Sequence, residues 1–428
     1  MRYVIIGGSA GGISCAESIR EIDKKSQITL VTDEVFPLYS RCLLSYLLAG
    51  SITEEGLYFK GKDFYKTNGV EPILGVRAEH IDVKARNISL SNSKKIDFDK
   101  LLIATGSRSK MLDIPGAKKS GVFALRTVRD ARGILETLKD VKTAAVLGGG
   151  LIGLKAAYAL SKRGVKIKVV VKSGQVLSQI VDQKAAAFIH ARIEKEGIEI
   201  LKGRDAKEIV GRDGVEGVIL DNGAKMDCQL VVIGKGVEPN VELAKDSGIS
   251  VGYGITAGDR LNTSQKDIYT AGDVAETRDI AMQERSLNAI WPCAIEQGKI
   301  AGYNMAGKQV NYKGSFGMNS VEFFGLPVIS IGITHTKEGY EELVDIDEKN
   351  GMYKKVLLKD QVIRGYISLG RIEGSGVYHT LIKNEVNVAN IKNMLLDRNF
   401  SFAKIAGLVK ENKDLFKAEE FKDTIWTY

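Results

Sequence analysis

Two six-residue glycine turns are the part of this sequence best suited to chemistry. The first reads Gly7-Gly8-Ser9-Ala10-Gly11-Gly12 and the second Gly148-Gly149-Gly150-Leu151-Ile152-Gly153. A Gly-x-Gly-x-x-Gly turn lets backbone approach a pyrophosphate closely, and the helix that follows offers N–H groups and a positive dipole end to the anion. The second turn is a full match; in the first, Ser9 takes the place of the middle glycine. One such turn alone reads equally well as a packing feature. Two in the same context point to two dinucleotide sites.

Acids at strand ends decide what such sites hold. Asp33 lies 21 residues after Gly12, with Glu34 beside it, which is the spacing at which a carboxylate takes an adenine-ribose hydroxyl. Eighteen residues past Gly153 the second half has Val171 and then Lys172, with no acid. This either relaxes the choice of nicotinamide cofactor or favours a 2′-phosphate near Lys172. A solvated strand end also explains Lys172.

The elements around the turns repeat. YVIIGGSAGGISCAESI and TAAVLGGGLIGLKAAYAL each show a short apolar run, a glycine turn and apolar residues at helical spacing. Each is followed by a β-branched run, QITLVTD at 27–33 and VKIKVVV at 165–171. That is β-α-β twice, hence two parallel sheets with right-handed crossovers. A length of 428 residues suggests about three domains. The 46 Gly against 6 Pro fit many tight strand-to-helix turns rather than collagen or a low-complexity linker.

Other classes are disfavoured. The N-terminal apolar run resembles a signal peptide but leads straight into the glycine cluster, and TAAVLGGGLIGLKAAYAL is interrupted by glycines and Lys155, so no membrane insertion is expected. Cys15, Cys42, Cys228 and Cys293 form no Cys-x-x-Cys pair, and His80, His190, His335 and His379 are scattered. A disulfide framework and an internal metal site are therefore not expected, and a reducing, cytoplasmic setting is. The formal net charge is +8, but no basic stripe with interleaved aromatics argues for nucleic acid, and KENKDLFKAEEFKD reads as a solvated face. An acidic protein partner is the better use of that charge.

Further motifs carry a family resemblance: FDKLLIATGSRS at 98–109, DIPG at 113–116, VFALRTVRDA at 122–131, LVVIGKGVEPNVELA at 230–244, IYTAGDVAE at 268–276 and WPCAIEQGKIAGYNMAG at 291–307. With the two turns, most of the chain resembles the FAD-dependent pyridine nucleotide-disulfide oxidoreductases, in their NAD(P)H:rubredoxin/ferredoxin reductase-like branch. The resemblance implies an α/β chain with two Rossmann-like, three-layer domains for FAD and NAD(P), plus a C-terminal α+β domain. It implies a discontinuous FAD domain at 1–115 and 245–315, an NAD(P) domain at 116–244, and an interface or dimerisation domain at 316–428. Short apolar runs in SVEFFGLPVISIGIT and KKVLLKDQVIRGYISLG fit strands of that last domain, and ANIKNMLLDRNFSFAKIAGLV returns to helical spacing. The resemblance assigns Ala104, Thr105, Gly106, Gly272, Asp273 and Arg41 to the FAD side and counts Gly236, in the returning-strand motif, among the cofactor-binding residues.

One residue divides two readings. In PLYSRCLLSYLLAG at 37–50 the segment Tyr39-Ser40-Arg41-Cys42 is similar to the Tyr-Ser-Arg-Pro of electron-transfer reductases, with Cys42 in place of the proline and Tyr46 where some relatives have lysine. The eight-residue step from Cys42 to Gly50 is also similar to the single redox cysteine of NADH oxidases, NADH peroxidases and coenzyme A-disulfide reductases. A thiolate there needs a depressed pKa, which Arg41 could help supply. The Tyr-Ala-Pro-Pro motif of the thiol enzymes is absent; a small apolar residue at a helix start is the plain alternative. Lys155 stands where the family usually has glutamate. The expected function is electron transfer between NAD(P)H and rubredoxin, ferredoxin or an iron–sulfur subunit, by a homodimer or a hetero-oligomeric complex. The alternative is a thiol-based oxidase, peroxidase or reductase using Cys42.

Overall fold

The computed structural model describes residues 1–36 and 38–415; the part of KENKDLFKAEEFKD past 415 lies outside them. The chain divides into two compact units: residues 1–176, 197–278 and 285–314 form one, and 177–196, 279–284 and 315 onward form the other.

The first unit holds two parallel sheets. In the first sheet β1 (Arg2–Ile6) leads through the first glycine turn into α1 (Ala10–Ile22) and β2 (Gln27–Thr32). After a short helix α2 (Leu44–Ala49) come β3 (Val70–Leu74) and β4 (Lys100–Ile103), and a returning strand, Ile268–Thr270, adds at the edge beside β4. The order is returning strand, β4, β1, β2, β3, all parallel. Val4, Ile5, Leu30, Val31, Leu101, Leu102 and Ile103 are buried, the near-continuous apolar runs that a sheet covered on both faces requires.

The second sheet repeats the plan. It is built from β5 (Val122–Phe123), β6 (Thr143–Leu147), β7 (Lys166–Val171), β8 (Glu199–Lys202) and β9 (Leu230–Ile233), with α3 (Leu151–Lys162) crossing from β6 to β7. Its order is β8-β7-β6-β9-β5, all parallel. Two three-stranded antiparallel meanders, at 78–97 and 206–227, accompany the sheets. The helix α4 (Trp291–Met305) lies against α1 because glycines remove the side chains between them. A Cβ on Gly298 would stand 2.1 Å from the Gly11 carbonyl oxygen, and one on Gly302 would stand 2.5 Å from that of Cys15.

The second unit is α+β. Strands β10 (Met318–Phe323), β11 (Leu326–Gly332), β12 (Glu341–Asp347), β13 (Met352–Lys359) and β14 (Val362–Leu369) form an antiparallel sheet in the order β10-β11-β14-β13-β12. It is followed by α5 (Ser375–Lys383), whose Val377, Tyr378, Leu381 and Ile382 are buried in the same cluster as Val356, Ile363 and Tyr366 of the sheet. The helix Gln183–Lys195, inside the span expected for the NAD(P) domain, groups with this unit. Its cap residue Asp182 accepts bonds from Tyr353 at 2.5 Å and from the buried Lys355 at 3.0 Å. The stretch 389–409, expected at helical spacing, is broken: it forms 3₁₀ turns at Ala389–Met394 and Phe402–Ile405 before a short helix, Ala406–Glu411. The break falls at Asp397–Ser401, where Ser401 is extended at φ −152° and Asp397 is tied to Lys354 and Lys404 at 3.0 and 2.6 Å.

Candidate nucleotide and redox site

The first glycine turn is a backbone necessity. Gly7 has φ +117°, a region that side chains avoid, and a Cβ there would lie 2.1 Å from the Ala104 carbonyl oxygen. A Cβ on Gly12 would lie 1.9 Å from the carbonyl oxygen of Gly7. Ser9 caps α1 with extended backbone, its hydroxyl makes no capping bond, and the first helical turn carries no acid. The leading N–H groups and the dipole end of a 13-residue helix therefore face the turn without a protein anion to satisfy them. This cradle fits a pyrophosphate.

The acids past β2 are both engaged. Exposed Asp33 pairs with Arg77 at 3.5 Å. Glu34 accepts bonds from the Tyr39 hydroxyl at 3.1 Å and from Arg41 at 3.0 Å. Arg41 also donates to the Arg126 carbonyl at 2.9 Å and lies 5.4 Å from the Tyr39 ring centre. Burial works against the charge on Arg41, but Tyr39 and Glu34 outweigh it and raise its pKa.

Asp273 lies at the other end of this chain of contacts. It accepts bonds from Arg126 at 2.7 Å and from the Ser107 hydroxyl at 3.0 Å, and Arg126 also donates to the Ser107 carbonyl at 2.7 Å. Arg126 and Asp273 are only 18% and 20% exposed. The Ala104-Thr105-Gly106 turn is fastened to the second half: the Thr105 hydroxyl donates to the Asn240 carbonyl at 2.9 Å, and the Asn240 amide donates to the Thr105 carbonyl at 2.8 Å. Gly106, Gly236 and Gly272 all have left-handed backbones, and the Gly272 N–H donates to Gln297 at 2.8 Å.

The second turn repeats the first. Gly148 has φ +130° and a Cβ there would meet the Gly234 carbonyl oxygen at 2.3 Å, while one on Gly153 would meet the Gly148 carbonyl oxygen at 2.0 Å. Gly150 caps α3, again with no side-chain bond and no acid in the first turn; Leu151 and Ile152 open the helix. Lys172 follows β7 and pairs with Asp205 at 3.2 Å, and Lys235 pairs with the same carboxylate at 2.7 Å.

Cys42 sits in a 3₁₀ turn, Arg41–Leu43, just ahead of α2, and is solvent-accessible on one side. The protein packed on its other sides dominates and pushes the thiol up, while the charges of Lys155 and Arg126 and a hydrogen bond with Ser40 pull it down. Arg163 at the end of α3 donates to the Leu48 carbonyl at 2.9 Å and so holds α2 against α3. Cys15, Cys228 and Cys293 are buried; burial pushes the Cys228 thiol up to about 11 and that of Cys15 higher still.

The structure thus gathers Glu34, Arg41, Cys42, Asp273 and the Ala104–Gly106 turn into one contact network, and sets Lys172 apart beside the second cradle. Arg126, Ser107, Asn240, Asp205 and Lys235 join these networks although no local spacing singles them out. Among the described residues no group of His, Cys, Asp and Glu is arranged to hold a metal ion, and no helix is long and apolar enough to cross a membrane.

Comparison with known proteins accounts for this arrangement. Residues 1–298 match the pyridine nucleotide-disulphide oxidoreductase family and residues 318–386 match the rubredoxin NAD+ reductase C-terminal domain. The chain belongs to the pyridine nucleotide-disulphide oxidoreductase family. It is 30% identical over 371 residues to the assimilatory nitrate reductase electron transfer subunit of Bacillus subtilis, matching 86% of this chain and 47% of that one. It is 30% identical over 397 residues to the epsilon subunit of the NADH-dependent phenylglyoxylate dehydrogenase of Aromatoleum evansii, matching 91% of this chain and 93% of that one. The chain thus spans about half the length of the Bacillus relative and almost all of the Aromatoleum subunit. Among solved structures, the ferredoxin reductase of Rhodopseudomonas palustris matches with a TM-score of 0.85 at 26% identity, over 95% of this chain and 99% of that one.

Proposed function

We propose that this protein is an FAD-dependent oxidoreductase that passes electrons between NAD(P)H and a one-electron iron protein or iron–sulfur subunit. The observation that carries this reading is the pair of equivalent glycine cradles in one compact unit, joined through Thr105–Asn240 and Arg126–Asp273. A flavin bound in the first cradle supplies hydride acceptance from nicotinamide and release of electrons one at a time. The chain's own part is positioning. The α1 and α3 N-termini each hold a pyrophosphate, Asp273 is oriented by Arg126 and Ser107, and Arg41 links Glu34 to the Arg126 backbone.

The electron partner is read as rubredoxin, ferredoxin or an iron–sulfur subunit of a larger complex, consistent with the rubredoxin-reductase-type segment at 318–386. The formal charge of +8 suits an acidic carrier. A cytoplasmic setting and a homodimer or hetero-oligomer complete the reading. The domain spans are taken as 1–115 with 245–315 for FAD, 116–244 for NAD(P) and 316–428 for the interface. Anaerobic titration of the flavin-loaded protein with NADH and NADPH, followed by one-electron carriers, tests it. Flavin bleaching by nucleotide and re-oxidation by a carrier are expected; a flavin that neither nucleotide bleaches overturns the reading.

A second reading keeps Cys42 as a redox thiol, favoured by its accessibility and opposed by the burial that raises its pKa despite the charges of Lys155 and Arg126. Cys42→Ser separates the two, because carrier reduction survives under the first and disulfide or peroxide reduction is lost under the second.

A further inference from the structure

The strand end that lacks an acid in sequence acquires one in three dimensions. The loop after β8 runs alongside the end of β7: the Arg204 N–H donates to the Val171 carbonyl at 3.2 Å and the Gly203 N–H donates to the Ser173 carbonyl at 3.4 Å. This sets Asp205 beside Lys172, at the carboxyl edge of the parallel sheet, the edge at which the second glycine turn also lies. Its place is fixed twice more, by the Ala206 N–H on its own Oδ1 at 3.0 Å and by the Asp221 N–H on its carbonyl at 2.9 Å. Lys235, from the loop after β9, reaches Oδ1 at 2.7 Å, and Lys172 reaches Oδ2 at 3.2 Å.

The two lysines differ in freedom. The Lys235 side chain is 19% exposed and firmly held, whereas that of Lys172 is 78% exposed and has one visible anchor. Burial alone would raise the Asp205 pKa, but the bonds from Lys235 and Lys172 overcome it and keep the carboxylate ionised. An ionised carboxylate offers about four lone-pair directions. Lys235 and the Ala206 N–H occupy Oδ1 and Lys172 takes one direction of Oδ2, which leaves one direction to accept from a ribose hydroxyl.

We infer that Asp205 is the specificity-determining carboxylate of the second cradle, standing in for the missing strand-end acid and favouring an adenosine 2′-hydroxyl over a 2′-phosphate. The inference rests on the proposed nicotinamide-nucleotide function. A 2′-phosphate brings about two negative charges against Asp205, and it can draw on Lys172 only by pulling that side chain off the carboxylate. Replacing Asp205 by a neutral amide removes the repulsion and frees both lysines at once.

The test compares binding of ADP-ribose and 2′-phospho-ADP-ribose to the flavin-loaded protein by calorimetry, so that neither hydride transfer nor an electron acceptor enters. The wild-type protein is expected to bind ADP-ribose more tightly. Asp205→Asn is expected to move the affinity ratio toward the phosphorylated ligand about tenfold, and Lys172→Ala, a change at an exposed side chain, to move it the opposite way. Ratios that move in these two directions support the assignment. Any other pattern in a wild-type protein that binds either ligand overturns Asp205 while leaving the nucleotide function standing. A wild-type protein that binds neither ligand overturns both.

Discussion

At Gly7 and at Gly148 the two halves of the first unit make the same backbone move. Each glycine is left-handed and leaves no room for a Cβ against a carbonyl of a neighbouring strand's turn, and a Cβ on each later glycine, Gly12 or Gly153, would stand 1.9–2.0 Å from the carbonyl oxygen of the first. What differs is the company at the strand ends. The first half has acids in sequence and immediately commits them, Glu34 to Arg41 and Tyr39, Asp33 to Arg77. The second half has none there and borrows Asp205 from the next strand's loop. Backbone geometry is set by a short motif, while the charges at the strand ends are set by side chains that tertiary structure delivers.

The sharpest way to break this equivalence is to fill one cradle at a time. Gly12→Ala forces a methyl into the Gly7 carbonyl, which costs about 3 kcal/mol in a packed backbone. The expected outcome is protein of lower melting temperature that is purified without flavin. Gly153→Ala imposes the same clash on the other half, so flavin is expected to remain while bleaching by nucleotide is lost. Absorbance at flavin wavelengths and an anaerobic nucleotide titration distinguish the two. Equal flavin content in both variants would mean that the halves do not divide the labour as described.

A smaller effect is expected where the halves are joined. Arg126→Ala strips Asp273 of its guanidinium partner in a mostly buried setting and leaves Ser107 as its bond donor, a loss of about 2 kcal/mol. Lower denaturation midpoint and weaker flavin retention are the readouts, and Arg126→Lys is expected to recover part of both because it restores charge but not the forked geometry.

These contacts also mark how far the sequence could be read. The β-α-β repeats were legible because glycine turns, apolar runs and helical spacing are local signals, and both sheets formed where those signals lay. The Arg126–Asp273 bond spans 147 residues and the Lys172–Asp205 pair joins loops of adjacent strands; neither leaves a periodic trace. Resemblance named Asp273 but not the residues that orient it. The helical spacing at 389–409 misled because period alone does not register that Asp397 is tied to Lys354 and Lys404 and that Ser401 takes extended backbone. Cys42 was legible as a question, and only the packing of α2 against α3 shows that the Lys155 charge acts on its thiol.

That last contact links the halves again and has a modest, measurable sign. Burial raises the Cys42 thiol above its ordinary value near 8.5, so the reactive thiolate is scarce at pH 7 and grows about tenfold per pH unit below the pKa. Alkylation by iodoacetamide is expected to be slow at pH 7 and to accelerate toward pH 9. Lys155→Gln removes a charge that pulls the thiol down, so its alkylation curve is expected to shift to higher pH. A curve already at its plateau at pH 7 would favour the thiol-enzyme reading.

The smallest effect tests why Ser9 is tolerated where the second turn has glycine. Both cap residues have ordinary extended backbone, Ser9 at φ −103° and Gly150 at φ −80°, so neither position needs glycine for its conformation. A Cβ on Gly150 would find its nearest neighbour, the Gly234 carbonyl oxygen, at 4.0 Å. Gly150→Ser, which copies the first turn into the second, is therefore expected to change stability by no more than about 0.5 kcal/mol. Glycine loses more chain entropy on folding, so any change in melting temperature is expected to be upward. If nucleotide affinity nevertheless falls in a protein of unchanged stability, Gly150 serves the ligand's approach rather than the fold, and the first turn accepts a side chain that the second does not.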